Sequence, residues 1–406
     1  MKRTAKPVSL LLALILLLSS FSGASAAGSR TTIEEWTAQY DSLKTDTSAI
    51  TLTPGSDESE MNFAWLSSIT DIAPKFKISK NADMSGFSFV AVKTSFTLVG
   101  CLANKVTASA LEPGTVYYYS YAVKGLWSKP EHFKTGGGPD FKAIFVSDPQ
   151  MGRSGDETLD EVLLRDSFGW NAALESAVDA HPDTNFILSG GDQVNTATVN
   201  AQYNLLLAPK IFRNIPFAAA MGNHDFTFPL YKYHFNNPNE FKGELIPSLG
   251  GSGFWFCFGQ AVFVVLDSNL PLPGSQEQLL KQAVDANPDA LWRIVMMHNS
   301  IYGAGGGEAG PVNLWRSYAG MFDKYSVDLV LSGHDHVHCR TYPIKDNKIV
   351  GDGEGVVYLA ANSGSGSKFS PAPETAPWYA ASCSQLRVPS YTVLNFTVDS
   401  LSVNTY

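Results

Sequence analysis

The chain has 406 residues, of which 44% are hydrophobic and 17% are charged, a composition that predicts folded domains and excludes a largely disordered protein. This length favours two domains rather than one. The 38 acidic residues outnumber the 29 basic ones, giving a formal net charge of −9, and this excess argues against a nucleic-acid or anionic-membrane partner because like charges repel.

The N-terminal segment has the layout of a secretory signal peptide. Basic residues (Lys2, Arg3 and Lys6) precede an apolar run and then small residues that end near Ala26. The apolar run is too short to span a bilayer comfortably, so we predict a cleaved signal peptide over residues 1–27 and a secreted protein rather than a membrane anchor. Residues 28–48 are predicted to form an N-terminal leader or a short helix.

Residues 49–136 show short alternating runs, such as "EMNFAWLSS" and "GTVYYYSYAV", separated by turn residues. This period of two, with many β-branched and aromatic residues, predicts a small all-β sandwich of the immunoglobulin or fibronectin kind. The sequence "GGGPD" at 136–140 indicates a joint between two domains.

Residues 140–406 alternate apolar β runs with stretches of helical periodicity at 166–181, 275–288 and 313–325, and return to strands after residue 345. The pattern predicts an α/β (α+β) domain with a β-sandwich flanked by helices. The four cysteines can be paired completely in three ways, one of which contains a Cys339–Cys383 disulfide. Their spacing fits no CxxC metal site.

The apolar strands of this second domain end in polar side chains of a restricted kind. The residues that follow the five runs are Asp148 and Gln150, then Asp192 and Asn195, then Asn223, His224 and Asp225, then His298, and finally His334 and His336. Because ligands bind at the carboxyl ends of strands in open α/β sheets, we expect these distant residues to meet in one crevice.

Carboxylate oxygens, imidazole nitrogens and amide oxygens without a thiolate suit Fe, Zn, Mn or Co rather than a cysteine-rich structural zinc site. The number of candidates exceeds one tetrahedral site, so we predict two ions that share a bridging carboxylate. Such pairs are typical of enzymes that transfer phosphoryl groups to water.

These motifs resemble the calcineurin-like metallophosphoesterase superfamily: Asp148, then "GD" at 191–192, "GNHD" at 222–225, His298 and "GHDH" at 333–336. The β-rich region resembles the fibronectin type III-like domain of purple acid phosphatases through "LTPG", "FAWLSS" and "LEPGTVYYYSYAV". The resemblance implies that Asp148 and His336 bind the first metal, and that Asp192 bridges both ions. It implies Asn223, His298 and His334 as ligands of the second metal.

For catalysis, the resemblance implies that His224 does not bind metal but protonates the leaving group, and we expect Asp225 to orient its ring.

Two positions depart from the family pattern. Asn195 stands where purple acid phosphatases carry the tyrosine that binds ferric iron, which predicts a colourless enzyme. Gln150 stands where many members carry a histidine, so the first site would have a weaker, neutral ligand. His338 either supports the ligand residues from behind or lies at the surface, and we favour the surface.

Together these features favour an exported phosphoesterase that cleaves small-molecule phosphate esters, phosphomonoesters first, by attack of a metal-activated hydroxide. A phosphodiesterase or nucleotidase on the same site is an alternative. A cell-surface binding protein with a degenerate phosphatase domain is an alternative of another class, which Gln150 and Asn195 would support. The sequence leaves the oligomeric state open. The Gly-rich segment 302–313 is expected to shape the substrate pocket.

Overall fold

The computed structural model describes residues 30–71, 73–155, 157–242, 251–269, 273–304 and 312–406. The predicted signal peptide at 1–27 lies outside the described residues, and so does most of the Gly-rich segment 302–313. No helix in the part of the chain that the structure describes is long and apolar enough to cross a membrane.

The predicted leader contains a well-formed helix, α1 (Ile33–Thr45). Thr32 and Glu35 form a capping box that satisfies free N–H groups of its first turn. The indole of Trp36 is buried and donates a hydrogen bond to the hydroxyl of Ser167, 3.0 Å away. The leader is therefore packed against the second domain.

The N-terminal β region comprises the strands β1 (Thr51–Pro54), β2 (Met61–Ser68), β3 (Lys75–Ser79), β4 (Ser88–Val90), β5 (Lys93–Phe96), β6 (Cys101–Ala108), β7 (Val116–Val123), β8 (Leu126–Trp127) and β9 (Glu131–Lys134). One antiparallel sheet has the order β1-β2-β6-β5, and the other has the order β4-β3-β7-β8 with β9 also paired to β7. Residues from both sheets, including Phe63, Phe76 and Tyr119, form one buried cluster. The predicted alternation arises because each sheet buries one face against the other.

The second region contains strands and helices in alternation. Its strands are β10 (Phe141–Val146), β11 (Phe186–Ser189), β12 (Phe217–Ala219), β13 (Phe254–Phe258), β14 (Ala261–Val265), β15 (Trp292–Met296), β16 (Leu329–Ser332), β17 (His338–Thr341), β18 (Ile344–Lys345), β19 (Lys348–Ile349), β20 (Val357–Ala360), β21 (Ala380–Ser384), β22 (Thr392–Phe396) and β23 (Leu401–Thr405). Its α-helices are α2 (Leu159–Ala180), α3 (Asn200–Leu206), α4 (Tyr231–His234), α5 (Pro273–Ala286) and α6 (Val312–Lys324), and a 3₁₀ turn spans Lys210–Arg213.

Two sheets form the middle layers of this region, with the orders β12-β11-β10-β22-β23 and β13-β14-β15-β16-β20-β17-β21. Their facing sides, with Phe145 and Leu188 from one sheet and Phe263 and Leu331 from the other, make one buried cluster. Helices α2 and α3 cover the outer face of the first sheet, and α5 and α6 cover that of the second. The order of layers is helix, sheet, sheet, helix, in agreement with the predicted fold class.

The central strands read as continuous apolar runs because they are buried on both faces. In β10, the side chains of Ile144 and Val146 pack towards the α2 layer, while those of Ala143 and Phe145 enter the core between the sheets. Strands β10, β11 and β12 are parallel, as are β14, β15, β16 and β20. Their carboxyl ends therefore lie along common edges.

The two regions contact each other through polar bonds. The hydroxyl of Tyr119 donates to the carbonyl of Arg213 at 2.8 Å, and the guanidinium of Arg213 donates to the carbonyl of Ile50 at 2.9 Å. The proposed boundaries at 49–136 and 140–406, and the fibronectin-like character of the first region, remain predictions.

All four cysteines are free thiols in the structure. Cys339 and Cys383 nevertheless lie directly opposite each other on β17 and β21. The pairing considered from the sequence is thus a cross-strand neighbour contact rather than a formed disulfide.

Candidate metal centre

The candidate site residues follow the strands at one edge of the two facing sheets. Asp148 and Gln150 come after β10, Asp192 after β11, and Asn223 after β12. His298 follows β15 in the second sheet, and His334 and His336 follow β16. The structure brings six of these side chains together, as expected for strand ends that share an edge: Asp148, Asp192, Asn223, His298, His334 and His336. Gln150 is linked to them through its backbone N–H, which donates to the carbonyl of Asp192 at 2.8 Å.

A first group of side chains surrounds Asp148. One ligand atom from each of Asp148, Asp192 and His336 lies within 4.8 Å of the others, and all three residues are buried. Nε2 of His336 lies 3.6 Å from Oδ1 of Asp148. Gln150 is also buried, and neither its Oε1 nor its Nε2 has a hydrogen-bond partner among the described residues. A buried amide without a partner is costly, so the side chain fits a position where its oxygen binds a cation.

A second group surrounds His298. Its Nε2 lies 3.1 Å from Oδ1 of Asn223 and 3.3 Å from Oδ1 of Asp192. Nδ1 of His334 lies 3.1 Å from the same Asn223 oxygen and 3.3 Å from Nε2 of His298. Two imidazole nitrogens and two oxygens thus converge on one point, and Asp192 belongs to both groups.

The backbone at these positions is unusual. Asp148, Gln150, Asp192, His334 and His336 all have positive φ, between 39° and 72°. Residues with a Cβ rarely adopt this region, and each such residue costs on the order of 1 kcal/mol or more. Glycine would be the favoured residue if the backbone alone mattered. Five such positions at one edge of the two sheets support a functional role for the group, although an aspartate or histidine in this conformation is not unusual by itself.

Two glycines let the strand ends approach each other closely. Gly191 has φ of +106°, and a Cβ there would lie 2.4 Å from Nδ1 of His298. A Cβ on Gly222 would lie 2.1 Å from the backbone nitrogen of Asp192. Neither position has room for alanine, so the "GGD" and "GNHD" sequences are a packing requirement of the site as well as a motif.

Further hydrogen bonds orient the donor atoms. Nδ1 of His298 lies 3.0 Å from the carbonyl of Gly190, so this nitrogen carries the hydrogen and Nε2 presents its lone pair to the site. The backbone N–H of His334 donates to both oxygens of Asp148, at 3.0 and 3.1 Å. The two sheets are thereby connected directly at the site.

Burial and charge act in opposite directions on these groups. Burial, helped by the charge of Asp192, raises the pKa of Asp148 to about 7 although His298 opposes it. Burial would lower the pKa of His298, but the carboxylates of Asp192 and Asp148 outweigh it and raise the pKa to about 10. Although its own burial opposes the change, His298 lowers the pKa of Asp192. The buried carboxylates thus favour positive charge in the pocket, as a proton or as a metal cation.

His224 lies beside the ligand groups and is half-buried, like His334, whereas Asp148, Asp192, His298 and His336 are buried. Its side chain is 33% exposed, and its Nε2 lies 4.0 Å from Oδ2 of Asp192. Its Nδ1 lies 2.8 Å from the carbonyl of Asn195, which fixes the hydrogen on Nδ1 and directs Nε2 away from that carbonyl. The ring is therefore held at the border between the ligand groups and solvent.

The hydrogen bonds that Asp225 accepts from described residues come from backbone N–H groups and from Tyr203, not from the ring of His224, which we expected it to orient. Its Oδ2 accepts backbone N–H groups of Gln193 at 3.0 Å and Gly222 at 2.9 Å, and its Oδ1 accepts the N–H of Val194 at 3.2 Å. The carboxylate is buried beneath the two loops and holds them together. The ring of His224 is oriented instead by the backbone carbonyl of Asn195, a contact that no sequence pattern specifies.

Two further residues differ from the sequence interpretation. His338, expected at the surface, is half-buried on β17, and burial lowers its pKa to about 4, with a smaller contribution from the neighbouring charge of Arg340. Asp267 follows β14, is buried, and accepts a hydrogen bond from the side chain of Asn269, which also donates to the carbonyl of Met221 beside the "GNHD" loop. The run "AVFVVLD" obeys the same strand-end rule, so the sequence contained a signal for this residue.

The donor set fits a pair of cations. It offers carboxylate, imidazole and amide groups in two clusters that share Asp192, together with the buried amide of Gln150, which has no hydrogen-bond partner among the described residues. The chemistry of these donors suits borderline and hard cations.

Known families match both regions of the chain. Residues 141–338 match the calcineurin-like phosphoesterase family, and residues 47–135 match the purple acid phosphatase N-terminal domain. No curated protein matches the chain.

Solved structures share the fold at low sequence identity. The purple acid phosphatase PPD1 from yellow lupin (Lupinus luteus) seeds has a TM-score of 0.70 and 16% identity over 86% of this chain and 70% of that chain. The structure of PhoD has a TM-score of 0.55 and 13% identity over 86% of this chain and 84% of that chain. The predicted fold class and family resemblance are confirmed. The chain therefore carries a calcineurin-like phosphoesterase domain and a purple acid phosphatase N-terminal domain, and these two domains indicate a metal-dependent phosphoesterase.

Proposed function

We propose that the protein is an exported phosphomonoesterase that holds two metal ions and uses His224 as its general acid. The observation that carries the proposal is the position of Asp192 between the two ligand groups. Its carboxylate lies 3.3 Å from Nε2 of His298 and also within 4.8 Å of the ligand atoms of Asp148 and His336. A carboxylate shared in this way fits a pair of cations.

In this proposal, Asp192 is the ligand common to both ions. The first ion would be held by Asp148, Gln150 and His336, and the second by Asn223, His298 and His334. Fe, Zn and Mn all accept this combination of oxygen and nitrogen donors. Such a pair, when bound, lowers the pKa of coordinated water and offsets negative charge on phosphoryl oxygens.

The protonation of the leaving group is assigned to His224. Nδ1–H donates to the carbonyl of Asn195, which leaves Nε2, 4.0 Å from Oδ2 of Asp192, as the ring atom that would give a proton. An ester oxygen that leaves beside Nε2 would take this proton. The half-exposed position allows the alcohol to depart and the ring to be protonated again by water.

The test is Asp192→Asn, with the exposed Asp399→Asn as the matched control. We expect the wild type and the control to bind two metal ions per chain and to hydrolyse p-nitrophenyl phosphate. Asp192→Asn should lose the second ion and nearly all activity, because a neutral amide is a poor bridge between two cations. Two bound ions and normal turnover in Asp192→Asn would rule out the shared ligand.

The same measurements separate the alternatives of other classes. A folded wild-type protein that binds no metal and hydrolyses no ester would be a binding protein with a degenerate phosphatase domain. Faster hydrolysis of bis-p-nitrophenyl phosphate than of the monoester would establish a phosphodiesterase instead.

Mass spectrometry of the mature chain tests export, since cleavage after Ala26 or Ala27 is expected. The pure metal-loaded enzyme should be colourless, because Asn195 supplies no phenolate.

A further inference from the structure

The loop of residues 362–370, which follows β20, is attached to both strand ends of the first ligand group. The hydroxyl of Ser363 donates to the carbonyl of Asp148 at 3.0 Å, and that of Ser365 donates to the carbonyl of Pro149 at 2.6 Å. On its other side, the N–H of Ser370 donates to the carbonyl of His336 at 3.3 Å. The loop is thus held at a fixed position beside the candidate first-metal ligands.

The loop is also closely packed. A Cβ on Gly364 would lie 3.1 Å from the ring of Trp170 and 3.2 Å from the carbonyl of Ser147. Gly366 has a φ of +81°, and its N–H donates to the hydroxyl of Ser363 at 3.1 Å. The serines and glycines of "NSGSGSK" therefore form one compact turn whose geometry determines where the next residue lies.

That next residue is Lys368, a half-buried lysine in a chain with an excess of acidic residues. Within the described part of the chain, its ammonium group makes no hydrogen bond or ion pair. Ser365 and Ser370 flank Lys368 and are hydrogen-bonded to the carbonyls of Pro149 and His336, so the lysine is held beside the turn that carries His334 and His336.

A lysine in this place opposes the binding of cations by the same histidines. Two metal ions and an ammonium group in one pocket repel each other unless an anion lies among them. A phosphoryl group carries up to two negative charges, and lysine is a common partner for such oxygens as a compact point charge. The unfavourable charge becomes favourable when the phosphate is bound.

We propose that Lys368 is a substrate-binding residue whose ammonium group contacts the phosphoryl oxygens of the ester at the metal centre. It would do so on the side formed by Asp148 and His336, whereas His224 lies against Asn195. This inference rests on the proposed phosphatase function and adds a protein cation to the recognition of the phosphate.

The experiment compares Lys368→Gln, Lys368→Arg and the exposed control Lys348→Gln, with inorganic phosphate as the probe. Inhibition of p-nitrophenyl phosphate hydrolysis gives the phosphate affinity, and calorimetric titration of the metal-free proteins gives the metal affinity. In Lys368→Gln, we expect KM and the phosphate inhibition constant to rise about tenfold, the loss of one charged hydrogen bond, with a smaller change in kcat. Metal affinity should be equal or higher, because a repelling charge is removed.

Lys368→Arg should recover most of the phosphate affinity, and Lys348→Gln should behave as the wild type. An unchanged phosphate inhibition constant in Lys368→Gln would overturn the inference while leaving an active enzyme and the proposed function intact. A parallel loss of metal and phosphate affinity would also overturn it, because a purely structural role of the loop has that result. A wild type without esterase activity would overturn the proposed function and this inference together.

Discussion

Replacement of Asp225 by asparagine separates a structural role from a catalytic one. In the wild type, the carboxylate accepts three backbone N–H groups, from Gln193, Val194 and Gly222, and the hydroxyl of Tyr203 at 3.4 Å. An asparagine of the same shape can place its oxygen where Oδ2 was and keep the bonds from Gln193 and Gly222. Its NH₂ group then faces the N–H of Val194, and two donors cannot bond.

The magnitude follows from these contacts. The buried N–H of Val194 is left without a partner, which costs about 1–3 kcal/mol. The two remaining bonds become neutral rather than charge-assisted, which costs about 1 kcal/mol each. The free energy of unfolding should therefore fall by about 3–5 kcal/mol, a large part of the roughly 5–15 kcal/mol of a typical domain.

The assay is urea unfolding at pH 8 with Asp399→Asn as the control, which should stay within about 0.5 kcal/mol of the wild type. Metal content and hydrolysis should fall together in Asp225→Asn, because the loops that carry Asp192 and Asn223 lose their common anchor. Wild-type stability in Asp225→Asn, with a loss of activity confined to esters of poor leaving groups, would refute this account. That result would restore the role beside His224 that the sequence suggested.

Three further changes test other parts of the structure. Gly191→Ala forces a Cβ to within 2.4 Å of the buried imidazole of His298 at a φ of +106°, so the metal content should fall below two ions per chain. As the control, a Cβ in Gly320→Ala in α6 meets nothing within 4 Å, and this change should leave the stability unaltered or raise it by up to about 1 kcal/mol. His224→Ala should reduce turnover of alkyl phosphates much more than that of p-nitrophenyl phosphate, since a good leaving group needs little protonation; equal losses would count against the general acid. His234 is buried against the ring of Tyr203, and burial lowers its pKa to about 3. The native state therefore excludes a proton that the unfolded chain takes up below about pH 6.5. The free energy of unfolding should decrease as the pH is lowered, by up to about 2 kcal/mol between pH 7 and pH 5. His234→Phe should remove that part of the pH dependence in urea titrations.

The strand-end rule accounts for most of what the sequence could predict about the site. Apolar runs such as "FKAIFV" and "DLVLS" identify buried parallel strands, and parallel strands have their carboxyl ends at a common edge. The distances around Asp192 show that residues up to 188 positions apart, from Asp148 to His336, lie in one pocket. The same rule applied to "AVFVVLD" would have added Asp267.

What the sequence could not predict depends on contacts between loops. A carboxylate in "GNHD" can orient a neighbouring ring or bind backbone N–H groups, and both choices have the same local pattern. In the structure, the carboxylate of Asp225 binds the backbone N–H groups of Gln193, Val194 and Gly222, because the loops that follow β11 and β12 meet there. The burial of Trp36 against Ser167 is of the same kind, since helical periodicity shows an apolar face but not the surface that covers it.

The positive φ angles explain why each ligand position, taken alone, is a weak sequence signal for a metal site. Asp148 and Asp192 adopt a conformation in which the backbone would prefer glycine, and asparagine or aspartate is tolerated there in many ordinary turns. A single Asp after a strand therefore has an adequate explanation as a turn residue. Histidine is also tolerated there, so His334 and His336 are explained in the same way when each is taken alone. Gln150 has no such explanation, and the strain at this position needs a compensating interaction. A shared cation would supply one, which no hydrogen bond of the described residues provides for its amide.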